Sequence, residues 1–246
     1  MVEGKIKSLL HSLISIIFIN ICSFVYAGDN SVEVRTKGSS SLIHIDQVGT
    51  SNTARVWCGL SEGNYTTHSC SNADIDIDQD GTENIARAYS QVAFHTSNEY
   101  KIEQNGNDNF GYIDADDDSN DMDILQNGNN NDAEIYMQGD NNVYEIEQTG
   151  DNKEGEIRAF GDSSNFSINQ SGSGEHYAKI YASTSADNND ASIDQIGSGD
   201  HYIRLNFYTD DYDVTANQSG ATNKSITVNY NCTTNCNKTI SIDQSD

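Results

Sequence analysis

Short stretches of the chain alternate strictly between apolar and polar residues, and each stretch ends at a glutamine. In one of them, Ile75 and Ile77 alternate with Asp76 and Asp78 ahead of Gln79. A period of two, apolar on one face and polar on the other, is typical of a half-buried β-strand. Because the glutamine falls in the apolar phase, the pattern predicts an all-β fold with inward-facing glutamines.

The alternating stretches recur because a Gln-x-Gly motif repeats along the chain. Three successive intervals between motif glutamines are 22 residues long, and the others run from 23 to 32 residues. A repeat of this length is the sequence signature of a solenoid or a related array. The glutamines are Gln47, Gln79, Gln104, Gln126, Gln148, Gln170, Gln195, Gln218 and Gln244, and the glycines are Gly49, Gly81, Gly106, Gly128, Gly150, Gly172, Gly197 and Gly220.

A polar residue stands three positions after each motif glycine. In five copies it is an asparagine, and in the others it is Lys153, Glu175 or Asp200. Glycine tolerates positive φ and asparagine hydrogen-bonds its own backbone, so we expect a turn here. A second alternating stretch and a second polar turn then close the unit. The asparagines are Asn52, Asn84, Asn109, Asn131 and Asn223.

Neither strand of such a unit can bury its apolar side alone. Stacking units as parallel rungs about 4.8 Å apart closes a thin core between two sheets. We therefore predict a two-sheet parallel β-solenoid of about nine strand-turn-strand rungs of roughly 22 residues. After Gly172 the phase of the second strand stays open by one residue.

The stacked rungs would place identical side chains directly above one another. A buried amide is costly unless its hydrogen bonds are met, and amides one rung apart can bond each other. The motif glutamines, which have no special turn role, are therefore predicted to form a structural ladder. For the asparagines, a turn role and a ladder role both stay open.

The pattern Ser-x5-Gln-x-Gly-x-x-Asn-x-Ala-x3-Gln resembles the repeat of the curlin family. Residues 41–54 and 120–133 follow it closely, and the resemblance covers about residues 41–244. It implies a secreted subunit that leaves through a curli-type outer-membrane pore and polymerises at the cell surface. The expected partners are copies of itself and a second curlin-like subunit or nucleator, and the expected product is an adhesive amyloid fibre of biofilm matrix.

The chain departs from the curlin pattern in three respects. It has about nine rungs where five are common, and it is unusually acidic. The second glutamine of the pattern is present only at Gln91 and Gln138. These differences leave open whether the chain is a major subunit, a nucleator or a divergent member.

The first 27 residues are predicted to be a secretory signal peptide. Lys5 and Lys7 precede an apolar stretch over residues 9–21, and Val25-Tyr26-Ala27 forms a small-x-Ala cleavage site. We expect an exported segment over 28–40, the repeat array over 41–246, no membrane span after cleavage, and a location at the bacterial surface or in extracellular fibres.

The chain has a formal net charge of −25 and contains no proline. This charge argues against nucleic acid as a partner. Stacked carboxylates either serve solubility or are bridged by Ca²⁺, and both readings stay open. The candidates for bridging are Asp74, Asp76, Asp78, Asp114, Asp116 and Asp118.

No catalytic motif is present, so we predict a structural protein rather than an enzyme. The histidines after the predicted signal peptide, His44, His68, His95, His176 and His201, are scattered over different rungs and loops. The alternative function is a monomeric acidic β-solenoid that acts as an adhesin or a cation-binding surface protein.

Two stretched repeats each contain a pair of cysteines. The 32-residue interval holds Cys58 and Cys70, and the 26-residue interval holds Cys232 and Cys236. An exported protein meets an oxidising compartment, so we predict the disulfides Cys58–Cys70 and Cys232–Cys236. A metal site is the alternative for Cys-x3-Cys, although a nearby histidine is lacking.

Overall fold

The computed structural model describes residues 21–24, 29–36, 38–59, 70–91, 97–116, 118–183, 188–208, 211–231 and 238–246. These segments consist of strands and turns, and none of them forms an apolar helix of membrane-spanning length. The strands are β1 (Ile21–Phe24), β2 (Val32–Thr36), β3 (Gly38–Ser39), β4 (Leu42–Asp46), β5 (Gly49–Thr50), β6 (Ala54–Cys58), β7 (Cys70–Ser71), β8 (Asp74–Thr82), β9 (Ala86–Gln91), β10 (Glu99–Asn107), β11 (Gly111–Asp116), β12 (Asp121–Ile124), β13 (Ala133–Gln138), β14 (Val143–Ile146), β15 (Glu154–Phe160), β16 (Asn165–Ile168), β17 (Tyr177–Ala182), β18 (Asn189–Ile193), β19 (Tyr202–Phe207), β20 (Tyr212–Asn217), β21 (Ser225–Tyr230) and β22 (Lys238–Asp243).

Two parallel sheets face each other across a thin core, which confirms the predicted β-solenoid. The first sheet runs β1-β4-β8-β10-β12-β14-β16-β18-β20-β22, with the short β5 beside β8. The second sheet runs β2-β6-β9-β11-β13-β15-β17-β19-β21, and β3 pairs with β7. From β4 to β21 the described chain makes eight complete strand-turn-strand rungs, and β22 begins the next one. Nine glutamines therefore mark eight full turns.

The strand register keeps the apolar side chains of every repeat facing the core, because a slip by one residue would turn them outward. Ile77 pairs with Ile102, and Ile102 pairs with Ile124. Beyond Gly172, Glu154 pairs with Tyr177 and Tyr177 with Tyr202. This pairing settles the phase that the sequence left open, and it buries Ala178, Ile180, Ala182, Ile203, Leu205 and Phe207.

Two glycines inside second-sheet strands allow the opposite sheet to approach closely. A Cβ atom at Gly111 would lie 2.7 Å from Cγ2 of Ile124, and one at Gly155 would lie 3.2 Å from Cγ2 of Ile168. Real Cβ atoms do not come as close as 2.7 Å to another heavy atom. The core of the central rungs is thus closed by isoleucines that fill the space of a missing side chain.

Three motif glycines, Gly49, Gly81 and Gly106, lie inside β5, β8 and β10, and the others lie beyond the ends of first-sheet strands. The reason predicted for these glycines is wrong. None of them has positive φ, and a Cβ atom at any of them would make at most ordinary contacts. Positive φ is found instead at the flanking residues, such as Asn105 and Asn107 around Gly106 or Thr149 and Asp151 around Gly150. Nothing in the structure explains the glycines themselves.

The predicted disulfide between Cys58 and Cys70 is present, with Cα atoms 5.4 Å apart. It links the end of β6 to β7 and closes the stretch that lengthens this repeat. The second predicted pair, Cys232 and Cys236, lies outside the described residues.

Candidate functional site: amide ladders along the solenoid

A single file of hydrogen-bonded glutamines runs through the core where the first-sheet strands end. Each Nε2 donates to Oε1 of the motif glutamine one rung further along the chain. The eight donor–acceptor distances lie between 2.6 and 3.1 Å. Gln47 to Gln218 are buried in this file, and Gln244 is exposed at its end. All the amides point the same way, so each bond polarises the next.

A second file lies at the first turn and is formed by Asn52, Asn84, Asn109 and Asn131. Here Nδ2 donates toward the N-terminal rung, with distances of 2.9, 2.7 and 2.8 Å. All four side chains are buried. These asparagines hydrogen-bond one another from rung to rung, which is the ladder role of the two roles left open for them. The dipoles of this file oppose those of the glutamine file.

Beyond Asn131 the same column carries basic residues instead of amides. The strand register aligns it with Lys153, His176, His201 and Lys224. At Lys153 a lysine replaces the asparagine three residues after the motif glycine. From Gly172 onward each turn has one extra residue, which moves the column position to four residues after the motif glycine and brings in His176, His201 and Lys224. Glu175, Asp200 and Asn223 are therefore exposed turn residues, with φ of 49°, 53° and 50°.

Lys153 is fully buried, which requires partners for its ammonium group. Its Nζ donates to the carbonyl oxygens of Asp151 at 2.7 Å and Gly172 at 2.9 Å. Burial lowers the pKa of Lys153. The burial of Lys153 was not predicted, since an isolated lysine in a polar turn is usually solvated.

His176 and His201 stack directly on one another in this column. Their ring centroids are 4.7 Å apart, their planes differ by 3°, and each side chain is 1 % exposed. The two ring nitrogens of His176 face the carbonyl oxygens of Ser171 and Gly199, and a neutral imidazole can donate to only one of them. Burial is the main cause that lowers the pKa of both histidines.

The opposite turn carries another amide file that sequence reasoning missed. Asn98 Nδ2 donates to Asn120 Oδ1 at 3.0 Å, and Asn120 Nδ2 donates to Asn142 Oδ1 at 3.1 Å. Ser164 and Asn189 continue the column, where the backbone N–H of Ser164 donates to Asn189 Oδ1 at 2.9 Å. The asparagines of the second polar turn are visible in the sequence, but only the strand register shows that they lie in one column.

The central rungs contain the glutamine file and both asparagine files, and residues 118–150 match the family model described as the curlin associated repeat. That segment contains β12, β13 and β14 together with Gln126 and Gln148. This segment is similar to a curlin repeat. The match is consistent with the curlin-family assignment that the motif array suggested. No curated protein and no solved structure matches the chain.

The ladder of curlin-type glutamines is open at both edges of the stack. Gln47 Oε1 is buried and accepts no hydrogen bond from any described residue. The strand beside it, β1, belongs to the predicted signal peptide, so cleavage after Ala27 would free the edge of β4. At the other edge, the inward-phase residues Ile240 and Ile242 of β22 are 37 % and 45 % exposed.

Of the six residues considered for cation bridging, two lie on the second sheet and one lies in the turn after it. Asp114 and Asp116 lie on the outer side of β11, and partial burial raises the pKa of both. Asp118 lies in the turn, where its Oδ1 accepts the backbone N–H of Asp140 at 2.7 Å. These residues therefore do not form one shared group.

His44, Asp76 and Asp78 do come together on the outer side of the first sheet, and Asp74 lies outside this group. Their possible ligand atoms lie within 4.8 Å of one another, and His44 Nδ1 lies 3.1 Å from Asp76 Oδ2. Partial burial, followed by the charges of Asp76 and Glu103, raises the pKa of Asp78. Among the described residues this is the group that could hold a metal ion.

Proposed function

We propose that the protein is a structural subunit whose copies join end to end into curlin-type amyloid fibres. The observation that carries this proposal is the open glutamine ladder. A second copy placed with its β22 against β4 would bring its Gln244 Nε2 toward the partnerless Oε1 of Gln47. Unpaired parallel edges are templates for such addition, and stacked amides strengthen it.

The similarity to the curlin repeat supports this proposal, because members of the curlin family are extracellular structural subunits rather than enzymes. We place the mature chain at the bacterial cell surface, after export through a curli-type outer-membrane pore. A second curlin-like subunit or nucleator would start the fibre, and the fibre would serve biofilm matrix and adhesion.

The test is assembly of the mature chain, residues 28–246, after release from denaturant. We expect thioflavin fluorescence together with a fibre diffraction spacing of about 4.8 Å. Gln47→Ala should slow fibre growth several-fold, because it removes the open acceptor, whereas Gln138→Ala changes an exposed glutamine of β13 and should not. A chain that stays monomeric under all conditions would contradict the proposal.

A cation-binding surface protein is the second candidate, and the group of His44, Asp76 and Asp78 favours it. Calorimetric titration of the monomeric protein with Ca²⁺ would then show saturable heat that Asp76→Asn abolishes. Asp190→Asn serves as the control, since Asp190 lies on the same sheet outside the group. Equal heats for the two variants would exclude this site.

A further inference from the structure

The outer faces of the two sheets differ in charge and in aromatic content. Carboxylates line the outer face of the first sheet, and Lys101 is the one lysine among its described outward strand residues, with no arginine. Lys238 is in the inward phase of β22 and lies over the ring of Tyr230. The strands of the second sheet carry six cations, and all of the described aromatic side chains that point outward lie on this side. The cations are Arg35, Arg55, Arg87, Arg158, Lys179 and Arg204.

Four residues of β6 and β9 form what we call the arginine–aromatic patch: Arg55, Trp57, Arg87 and Tyr89. Arg55 pairs in register with Arg87, and Trp57 with Tyr89. The two rings stack with centroids 4.1 Å apart. Like charges directly opposite each other on neighbouring strands repel, and neither arginine forms an ion pair within the described chain.

The patch also contains hydrogen-bond donors without acceptors. Arg55 Nε and Trp57 Nε1 are shielded from solvent and have no partner among the described residues. Shielded donors of this kind are costly to leave unpaired. Arginine binds carboxylates through two parallel N–H groups, so the chemistry that would satisfy this patch is a row of carboxylates.

Such a row exists on the opposite face of the same molecule. Asp74, Glu99 and Asp121 are exposed neighbours on β8, β10 and β12, and we call them the carboxylate ladder. None of them forms an ion pair within the described chain. Successive members lie one rung apart, as Arg55 and Arg87 do, so the two rows share the same repeat along the solenoid.

We infer that the arginine–aromatic patch of one copy docks on the carboxylate ladder of a second copy, so that fibres join side by side. This inference rests on the proposed end-to-end assembly and adds a lateral contact to it. The charges are complementary and their spacings match, which permits several ion pairs at once. The contact uses different surfaces on the two copies, so each docked copy leaves one face free and bundles keep growing.

The experiment compares bundle width for the mature wild type and the double variant Arg55→Gln/Arg87→Gln by electron microscopy. We expect wild-type bundles at low salt and single filaments for the variant, with the spacing of about 4.8 Å unchanged. Lys101→Gln/Arg204→Gln is the charge-matched control, because it removes the same charge from outward positions outside the patch and should still bundle. Asp74→Asn/Glu99→Gln should lose bundling as the arginine variant does, and added salt should disperse wild-type bundles without dissolving filaments.

The outcomes separate this inference from the proposed function. Bundles of equal width in the arginine variant would overturn lateral docking, even if filaments form normally. If those bundles persist while binding to a carboxylated polysaccharide such as alginate is lost, the patch serves that polymer instead. If the wild type forms no filaments, the proposed function fails. Lateral docking is then tested by sedimentation velocity, where the wild type should form a dimer that dissociates in salt. The arginine variant should stay monomeric in the same measurement.

Discussion

Replacing Gln148 with alanine tests whether the glutamine ladder stabilises the stack. Gln148 lies in the middle of the file, where its Oε1 accepts from Gln126 Nε2 at 2.9 Å and its Nε2 donates to Gln170 Oε1 at 2.7 Å. Alanine leaves one N–H of Gln126 and one oxygen of Gln170 without a partner in the core. Each buried unsatisfied group costs about 1–3 kcal/mol, so for these two groups we expect a loss of about 2–6 kcal/mol in the free energy of unfolding.

The assay is urea unfolding of the mature monomer, followed by circular dichroism and by the fluorescence of Trp57, the single tryptophan. Repeat proteins can unfold in more than one step, so the shift in midpoint should be compared for both signals. Gln138→Ala is the matched control, because Gln138 is exposed and its side chain bonds, among the described residues, only Tyr136 OH at 3.3 Å. A surface change of this kind should stay within about 0.5 kcal/mol.

Gln148→Leu separates the loss of hydrogen bonds from the loss of volume. Leucine nearly fills the space but cannot bond either neighbour, so it should recover only part of the stability lost in the alanine variant. If Gln148→Ala unfolds at the same urea concentration as Gln138→Ala, the ladder bonds add nothing to stability, and the argument from buried amides is refuted.

Acid should destabilise the C-terminal rungs, because burial lowers the pKa of His176 and His201 below the unfolded value of about 6.5. The contribution of the two neutral histidines to folding stability is present above that pH and is lost as the pH falls through it. The double variant His176→Asn/His201→Asn should show a smaller difference between the unfolding midpoints at pH 7.5 and pH 5.5 than the wild type, and an equal difference would contradict this assignment. Gly111→Ala should cost about 1–3 kcal/mol by crowding Ile124. Gly49→Ala, which meets no atom within 4 Å, should cost less in the same urea titration, and equal losses would contradict the steric reasoning.

The strand phase of the fold could be predicted because one local rule, a period of two ending at glutamine, holds in every repeat. Position in the stack follows from that rule, so Gln79 and Gln126 could be assigned to one column from spacing alone. The basic column could not be assigned this way. A single inserted residue after Gly172 moves the buried position to His176, and only pairing with the neighbouring strand reveals the shift.

The outer face of the second sheet was only partly predictable. Arg55 and Arg87 each stand eight residues after a motif glutamine, so spacing places them in one column. The stacking of Trp57 on Tyr89 and the shielding of Arg55 Nε depend on side-chain positions that spacing does not give. The role of the motif glycines was predicted wrongly because positive φ was assigned to the residue that adopts it most easily, whereas the flanking residues adopt it.

Those flanking residues have a kinetic consequence for the chain. Each central rung bends at two or more non-glycine residues with positive φ, such as Asn127 and Asn129, and a left-handed conformation costs roughly 1–2 kcal/mol per residue. A rung on its own would bear this strain with no neighbour to bond its amides. A rung that forms against an existing edge gains backbone and side-chain hydrogen bonds at once. The first rung is therefore slow to form and each later one is fast, so folding of the array resembles crystal growth from a seed.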